Sequence, residues 1–210
     1  VDILPTPAIS LYQLKTGAAC GFALTASHNR ADQNGIKIFL GNSNLKLLPE
    51  DDKRLTQNCL NLDYGKLKNL PLFGGISNEH MQAKKLFIDF VSDHDNNWLK
   101  KRFLNDVTFI VDAANGAFSY ILKDLLHFEG CRIEFFNCEP SRGINYCSGV
   151  ADLEGISVIN ADEIVNGAFA EYEALSRIIS IGREQNLTQK NTLEMIYGFV
   201  FDGDGDRCFL

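Results

Sequence analysis

Three aspartates separated by single glycines are the residues of this sequence whose types and spacing best suit chemistry. Asp202, Asp204 and Asp206 follow the apolar segment GFVF, and alternate side chains of an extended backbone point the same way. Gly203 and Gly205 let the chain curl without a Cβ clash, so the three carboxylates can converge on one point. Since a cation would offset their repulsion, and since hard oxygen ligands suit Mg²⁺, the pattern predicts one magnesium site.

The residue that follows the aspartates indicates a phosphate. Arg207 offers a planar fork of N–H donors that matches phosphate oxygens. A solvated acidic turn is the simple alternative, but the strand-forming segment before the aspartates argues against it. An EF-hand calcium loop is another alternative, but it needs a preceding helix and a Glu at position 12, whereas a strand-forming segment precedes Asp202. A phosphatase that uses Asp202 as its nucleophile stays an alternative, although Asp206 stands where such motifs normally carry Thr or Val.

A serine in a polar loop is the candidate carrier of that phosphate. In TASHNRADQNGIK, Ser27 lies between two predicted strands, with His28 beside it and Lys37 ten residues further on. Taken singly, a loop serine is usually a turn residue and a lone histidine is usually structural. Phosphoryl transfer depends mainly on positioning and charge neutralisation, and a divalent cation, an arginine and a lysine around one serine would supply both.

The order of four motifs resembles a known family. TASHN, then NGIK, VDAANGA and FDGDGDR resemble the alpha-D-phosphohexomutase family, which includes phosphoglucosamine mutases, phosphomannomutases and phosphoglucomutases. The resemblance implies an enzyme that interconverts hexose or hexosamine 6-phosphate and 1-phosphate, with a phosphosugar as its partner. NGIK and the DAANGA turn favour the phosphoglucosamine mutase branch. The sugar-reading and phosphate-clamping domains of the family have no counterpart in the motifs found here.

The resemblance also assigns roles to single residues. Ser27 would be the phosphoserine, and its phosphate would join the three aspartates as a further ligand of one Mg²⁺ ion. Arg207 would contact the same phosphate, and His28 and Lys37 would serve in proton transfer and charge stabilisation. A sugar 1,6-bisphosphate would be both the intermediate and the activator. Arg30 stands where the family commonly has proline, which would loosen the serine loop or add a phosphate contact.

The elements around these motifs predict an α/β fold with mixed sheets covered by helices. Strands are expected at CGFALTA, GIKIFL, VTFIV, Arg132–Phe136 and Ile196–Phe201, and helices at PEDDKRLTQNCL, after Ser77, at Tyr120–Phe128 and at Ala168–Glu184, with QNLTQKNT as a loop. The resemblance divides the chain into part of domain I at 1–75 and domain II at 76–210, with Phe73-Gly74-Gly75 as linker. The segment around 156–195 is longer than the family pattern and is expected to be an inserted helix and loop.

Composition excludes several classes of function. A net charge of −7 argues against nucleic acid as a partner. No apolar run reaches the roughly 18 residues of a membrane span, and no signal peptide is evident, so a cytoplasmic location is expected. Six dispersed cysteines without a C-x-x-C pair predict free thiols. Oligomeric state cannot be derived from the sequence.

Overall fold

The computed structural model describes residues 1–30, 32–41, 45–71, 74–95, 104–126, 130–167, 169–188 and 195–210. It confirms an α/β fold with a mixed sheet and helices. In chain order the elements are α1 (Thr6–Thr16), β1 (Cys20–Leu24), β2 (Ile36–Leu40), α2 (Pro49–Leu60), α3 (Tyr64–Leu67), α4 (His80–Asp95), β3 (Val107–Asp112), α5 (Leu122–Leu125), β4 (Arg132–Phe136), α6 (Ala161–Asn166), α7 (Glu173–Thr188), β5 (Met195–Phe201) and β6 (Cys208–Phe209). Short 3₁₀ turns lie at Ala117–Tyr120 and Pro140–Arg142.

The β1–β2 pair is antiparallel and carries the serine loop between its strands. Leu24 pairs with Ile36 next to the loop, and Ala23 pairs with Lys37 one residue further from it. Because cross-strand partners share a face, Lys37 lies on the same face as the buried Ala23. The opposite face is apolar and exposed, with Phe22 at 56% and Leu24 at 72%. The pair therefore has one packed face, and Lys37 is on it.

The second sheet has the strand order β4-β3-β5-β6, in which only β6 is antiparallel to its neighbour within the described residues. Successive side chains of β3 point to opposite faces of the sheet, and both faces are buried. Ile110 packs with Ala174 and Ile181 of α7, whereas Val111 lies in a cluster with Phe87 of α4. Because β3 and β5 are parallel neighbours, their carboxyl ends lie side by side at one edge of the sheet. The turn after β3 and the loop after β5 are therefore adjacent.

One apolar cluster crosses the predicted domain boundary. Leu4 and Ala8, from the start of the chain, share it with Ala83 and Phe87 of α4. Within the predicted linker, Phe73 lies outside the described residues, while the exposed Gly74 and Gly75 do not belong to a helix or strand. The division into domains at 1–75 and 76–210 stays a prediction. If it holds, the two domains share a core where α1 packs on α4.

Two helix predictions in the second half are wrong at their boundaries. The helix expected at Tyr120–Phe128 is a 3₁₀ turn followed by the four residues of α5, and Phe128 lies outside the described residues. The helix expected at Ala168–Glu184 begins at Glu173 and continues to Thr188, through residues predicted as loop. The buried side of α7 packs on β3 through Ala174, Ile178 and Ile181, a tertiary contact that local signals do not specify.

Within the segment around 156–195, α7 covers one face of the second sheet, and the expectation that the segment is an insertion relative to the family stays a prediction. The predicted cap at Ser77 is also displaced, since the Asn78 side chain accepts the N–H of His80 at 3.0 Å. None of the six cysteines is part of a disulfide, as predicted. Among the residues that the structure describes, no helix is both long and apolar enough to cross a bilayer.

Candidate active site

The aspartate loop (residues 202–207) is a tight turn between β5 and β6. The N–H of Asp202 donates to the carbonyl of Arg207 at 3.2 Å, and Gly205 adopts a φ of +71°. Oδ1 of Asp202 accepts the N–H groups of Asp206 and Arg207 at 3.0 and 3.1 Å. Because a fully buried carboxylate holds the backbone of the loop, the directions of the other two carboxylates are fixed by local structure.

Two distant segments hold the outer side of the aspartate loop. The N–H of Thr6 donates to the carbonyl of Asp204 at 2.9 Å, and that of Ala117 donates to the carbonyl of Gly203 at 2.8 Å. The Thr6 hydroxyl also donates to Oδ2 of Asp204. A Cβ added to Gly116 would lie 2.2 Å from the Gly203 carbonyl oxygen, so only glycine permits this approach.

The serine loop, which joins β1 to β2, holds Ser27 in an unusual backbone conformation. Ser27 has a φ of +59°, in the left-handed region that is uncommon for residues with a side chain. Its N–H donates to Oγ1 of Thr25 at 2.8 Å, a local turn that serine and threonine form readily. The N–H of Thr25 donates to the carbonyl of Gly35 at 2.9 Å and closes the base of the loop.

The two loops meet at the Ser27 hydroxyl, although 175 residues separate it from Asp202. Oγ of Ser27 donates to Oδ2 of Asp202 at 2.5 Å. The Arg207 guanidinium donates to both groups, to Ser27 Oγ at 3.2 Å and to Asp202 Oδ2 at 3.3 Å. The structure thus brings together the serine, the first aspartate and the arginine that the sequence singled out.

Two lysines reach the aspartate loop from β2 and from the segment after it. Nζ of Lys37 lies 2.5 Å from Oδ2 of Asp204 and 2.6 Å from Oδ2 of Asp206, and Nζ of Lys46 lies 3.3 Å from the latter oxygen. Burial lowers the pKa of Lys37, but hydrogen bonds to the two carboxylates outweigh it and raise the pKa. Burial raises the pKa of Asp206, but Lys37 and Lys46 bring it below its usual value.

The three carboxylates fit a small divalent cation. One oxygen from each of Asp202, Asp204 and Asp206 lies within 4.8 Å of the others. Oδ1 of Asp204 is buried and has no hydrogen-bond partner in the described part of the chain. A buried carboxylate oxygen without a partner is costly, so this atom favours a ligand. Carboxylate oxygens without nitrogen or sulfur donors suit Mg²⁺, in agreement with the donor chemistry of the sequence motif.

His28 faces Arg207 and Glu154 in this structure. The guanidinium donates to Nδ1 of His28, so the hydrogen of the neutral ring is on Nε2, which lies 3.2 Å from Oε2 of Glu154. Oε1 of Glu154 accepts from Arg207 at 3.1 Å. With both ring nitrogens engaged, the histidine orients the arginine beside the serine.

Four residues at the site were missed by sequence reasoning. Asn145 donates its side-chain amide to the carbonyls of Ser27 and Asn29, and the others are Glu154, Thr6 and Lys46. None of them has a local pattern that distinguishes it from an ordinary polar residue. Asn145 illustrates the difficulty, because the carbonyls to which it donates lie more than 100 residues away in sequence.

Arg30 lies away from this cluster. Its side chain is 84% exposed and pairs with Asp32 at 3.3 Å, so it makes no phosphate-directed contact in this conformation. The EF-hand interpretation of the aspartates is wrong, because the loop follows strand β5 and not a helix.

Known proteins resemble this chain in sequence and in fold. Residues 1–65 match the family model described as phosphoglucomutase/phosphomannomutase, alpha/beta/alpha domain I. A phosphoglucomutase/phosphomannomutase family protein from Burkholderia thailandensis has a similar fold, with a TM-score of 0.53 and 19% identity over 98% of this chain and 38% of that one.

Three proteins named phosphoglucosamine mutase match nearly the whole chain. The one from Thermosipho africanus is 26% identical and covers 98% of this chain, the one from Carboxydothermus hydrogenoformans is 27% identical and covers 94%, and the one from Rhodococcus opacus is 31% identical and covers 99%. This chain spans 38%, 44% and 39% of their respective lengths. The chain belongs to the alpha-D-phosphohexomutase family.

Proposed function

We propose that the protein containing this chain is a Mg²⁺-dependent phosphohexomutase, which interconverts a hexose or hexosamine 6-phosphate and 1-phosphate through phosphorylated Ser27. The observation that carries the proposal is the hydrogen bond from Ser27 Oγ to Asp202 Oδ2 at 2.5 Å, with Arg207 on both groups. A phosphate on this hydroxyl would lie beside three convergent carboxylates and a guanidinium. These are the groups that neutralise charge on a transferring phosphoryl group.

The chain's own residues account for both halves of the reaction. In the first half, a sugar hydroxyl oxygen bonds to phosphorus as the bond between phosphorus and Ser27 Oγ breaks, and the proton that the sugar hydroxyl loses restores the Ser27 hydroxyl. Lys37, whose pKa is raised, stays protonated and stabilises charge. In the second half, Ser27 Oγ bonds to the other phosphorus of the bisphosphate, the bond from that phosphorus to the sugar oxygen breaks, and the Ser27 proton passes to that sugar oxygen by way of Asp202 Oδ2, which already accepts the hydrogen bond of Ser27. Arg207 holds the phosphate oxygens throughout. When bound, Mg²⁺ adds positive charge next to those oxygens.

Among the sugars, we propose glucosamine phosphate as the preferred substrate. Support comes from the relatives from three organisms that carry the name phosphoglucosamine mutase. Mannose and glucose phosphates are the alternatives, since the matching family model is named for those activities. The ratio of kcat/KM values for the three sugar 6-phosphates, measured on the full-length protein, decides between them. Mannose or glucose 6-phosphate with the highest value would overturn the glucosamine assignment.

A phosphatase with Asp202 as nucleophile is the competing function. Its support is weaker, because Asp202 is fully buried and both of its carboxylate oxygens already accept hydrogen bonds. A nucleophilic oxygen needs an open path to phosphorus.

Peptide mass spectrometry separates the two functions. The full-length protein, purified with Mg²⁺, is exposed to a hexose 1,6-bisphosphate and the covalent phosphate is located. We expect phosphate on Ser27, its loss in Ser27→Ala and its retention in Ser141→Ala, a control at an exposed serine. Phosphate on Asp202, or hydrolysis of the bisphosphate that persists in Ser27→Ala, would overturn the mutase proposal.

A further inference from the structure

We propose that Asn145 is a positioning residue that holds the serine loop with Ser27 facing the aspartate loop. The inference rests on the proposed function, because it takes Ser27 as the residue that carries the phosphate. It adds a residue from the second half of the chain to the reaction, although Asn145 does not touch the Ser27 hydroxyl.

The geometry is a two-pronged contact with the backbone of the serine loop. Nδ2 of Asn145 donates to the carbonyl of Ser27 at 2.9 Å and to that of Asn29 at 3.0 Å. These carbonyls lie on either side of His28 in sequence. Because both partners are acceptors, the amide nitrogen and not the amide oxygen must face them. The contact therefore fixes the backbone of the reactive segment.

Asn145 is itself held rigidly. It is 9% exposed and has a φ of +58°, a conformation that Asn tolerates better than most residues. Its N–H donates at 2.9 Å to the carbonyl of Ala114, which is fully buried in the turn after β3. One side chain thus connects the serine loop to the carboxyl end of the central strand.

This contact differs from the other bonds that reach across to Ser27. The hydrogen bonds of the Ser27 hydroxyl with Asp202 and Arg207 must change when the hydroxyl oxygen carries a phosphate. The bonds from Asn145 go to main-chain carbonyls, which the transfer does not alter. Asn145 can therefore hold the loop in the same place in both states of the serine, with the left-handed backbone at Ser27 maintained.

Two substitutions remove the contact without straining the left-handed backbone of residue 145. Asn145→Gly keeps the left-handed conformation without a side chain, and Asn145→Asp keeps the shape but replaces the donor by an acceptor. Asn137→Gly is the matched control. Asn137 is also a buried, left-handed asparagine, with a φ of +51°, but its amide donates to Asp112 at 2.8 Å and not to the serine loop.

The experiment measures two properties of the full-length protein and its variants, at a temperature where all are folded. One is the rate at which Ser27 takes phosphate from a hexose 1,6-bisphosphate. The other is hydrogen–deuterium exchange of a peptide that covers residues 25–35, without any substrate. We expect both Asn145 variants to lower the rate between about 10-fold and 100-fold and to speed exchange, and Asn137→Gly to leave both within about twofold.

The outcomes separate this inference from the proposed function. Normal phosphorylation and exchange in Asn145→Gly, or equal losses in Asn137→Gly, would overturn the positioning role. If the parent protein takes no phosphate on Ser27, the proposed function fails, and the exchange of the loop then decides by itself whether Asn145 holds it.

Discussion

The serine loop and the aspartate loop meet at one hydroxyl, but sheets of different burial carry them. The β1–β2 pair leaves one apolar face exposed, with Ile36 at 62%, whereas β3 of the second sheet is covered on both faces. The aspartate loop also contains the fully buried Asp202, which ties down its own backbone. The serine loop has turn hydrogen bonds at Thr25 and Gly35 but no buried carboxylate among its described residues, and it is also held by groups from the other half of the chain.

This difference indicates that one set of residues stabilises the fold and another set positions Ser27 relative to the carboxylates. Loss of packing in the second sheet should unfold the protein, because hydrophobic burial dominates folding free energy. Loss of Asn145 or Arg207 should instead leave the fold in place and move the serine relative to the carboxylates. Three predictions test or sharpen this separation.

The largest expected effect comes from the same substitution made in each sheet. Ile110→Ala removes a side chain that is 1% exposed and should lower the free energy of unfolding by about 2–5 kcal/mol. Ile36→Ala removes a side chain that is 62% exposed and should cost less than about 0.5 kcal/mol. Denaturant unfolding of both variants measures the two losses. An equal loss at Ile36 would mean that its face is covered in the protein tested.

The second prediction concerns a buried carboxyl at the end of β3. Burial raises the pKa of Asp112 from 3.8 to about 6, against hydrogen bonds from the N–H of Ala114 and the Asn137 amide. Between these pH values the native state binds more protons than the unfolded state, so this group's contribution to stability is full below about pH 4 and falls as the pH rises to about 6. The decline should be at most about 3 kcal/mol.

Asp112→Asn should abolish this decline, because the amide does not titrate. Urea unfolding of parent and variant at several pH values from 4 to 7 gives the difference in stability between them. As the pH rises, the free energy of unfolding of the parent should fall relative to that of Asp112→Asn. Parallel profiles would show that Asp112 ionises in the folded chain as it does in the unfolded one.

The smallest expected effect is at Arg30 of the serine loop. Since its side chain is 84% exposed and its ion pair with Asp32 is solvated, Arg30→Ala should change stability by less than about 0.5 kcal/mol. It should also leave Ser27 phosphorylation within about twofold, whereas Arg207→Ala should abolish most of it. A large loss of phosphorylation in Arg30→Ala would mean that Arg30 turns toward the phosphate when one is present.

The sequence was most informative where local chemistry determines local structure. β1, β2, α2, β3, β4 and β5 lie where periodicity and turn signals predicted strands and a helix. The convergence of the three aspartates also follows from alternation and from the glycines between them. The meeting of Ser27 with Asp202 came from a family resemblance, because nothing in either motif specifies a partner 175 residues away.

What the sequence did not reveal depends on tertiary contacts. α7 begins later than its local pattern predicts and packs on β3, and α5 has only four residues where a longer helix was expected. Asn145 and Thr6 reach the site only because the fold brings distant segments together, and an isolated Asn or Thr has no periodic or spacing signal. Polar residues that act through a single long-range hydrogen bond are therefore the hardest to find from sequence.

The hydrogen bonds that pin the aspartate loop have a consequence for the order of assembly. The carbonyls of Gly203 and Asp204 accept N–H groups from Ala117 and Thr6, so residues near the start, the middle and the end of the chain must all be in place first. Closing such long loops costs entropy before any contact repays it. A peptide of the last 15 residues would carry every predicted aspartate ligand and still not hold them in this geometry. The carboxylates should therefore converge late in folding, after α1 and the β3–β5 pair have formed.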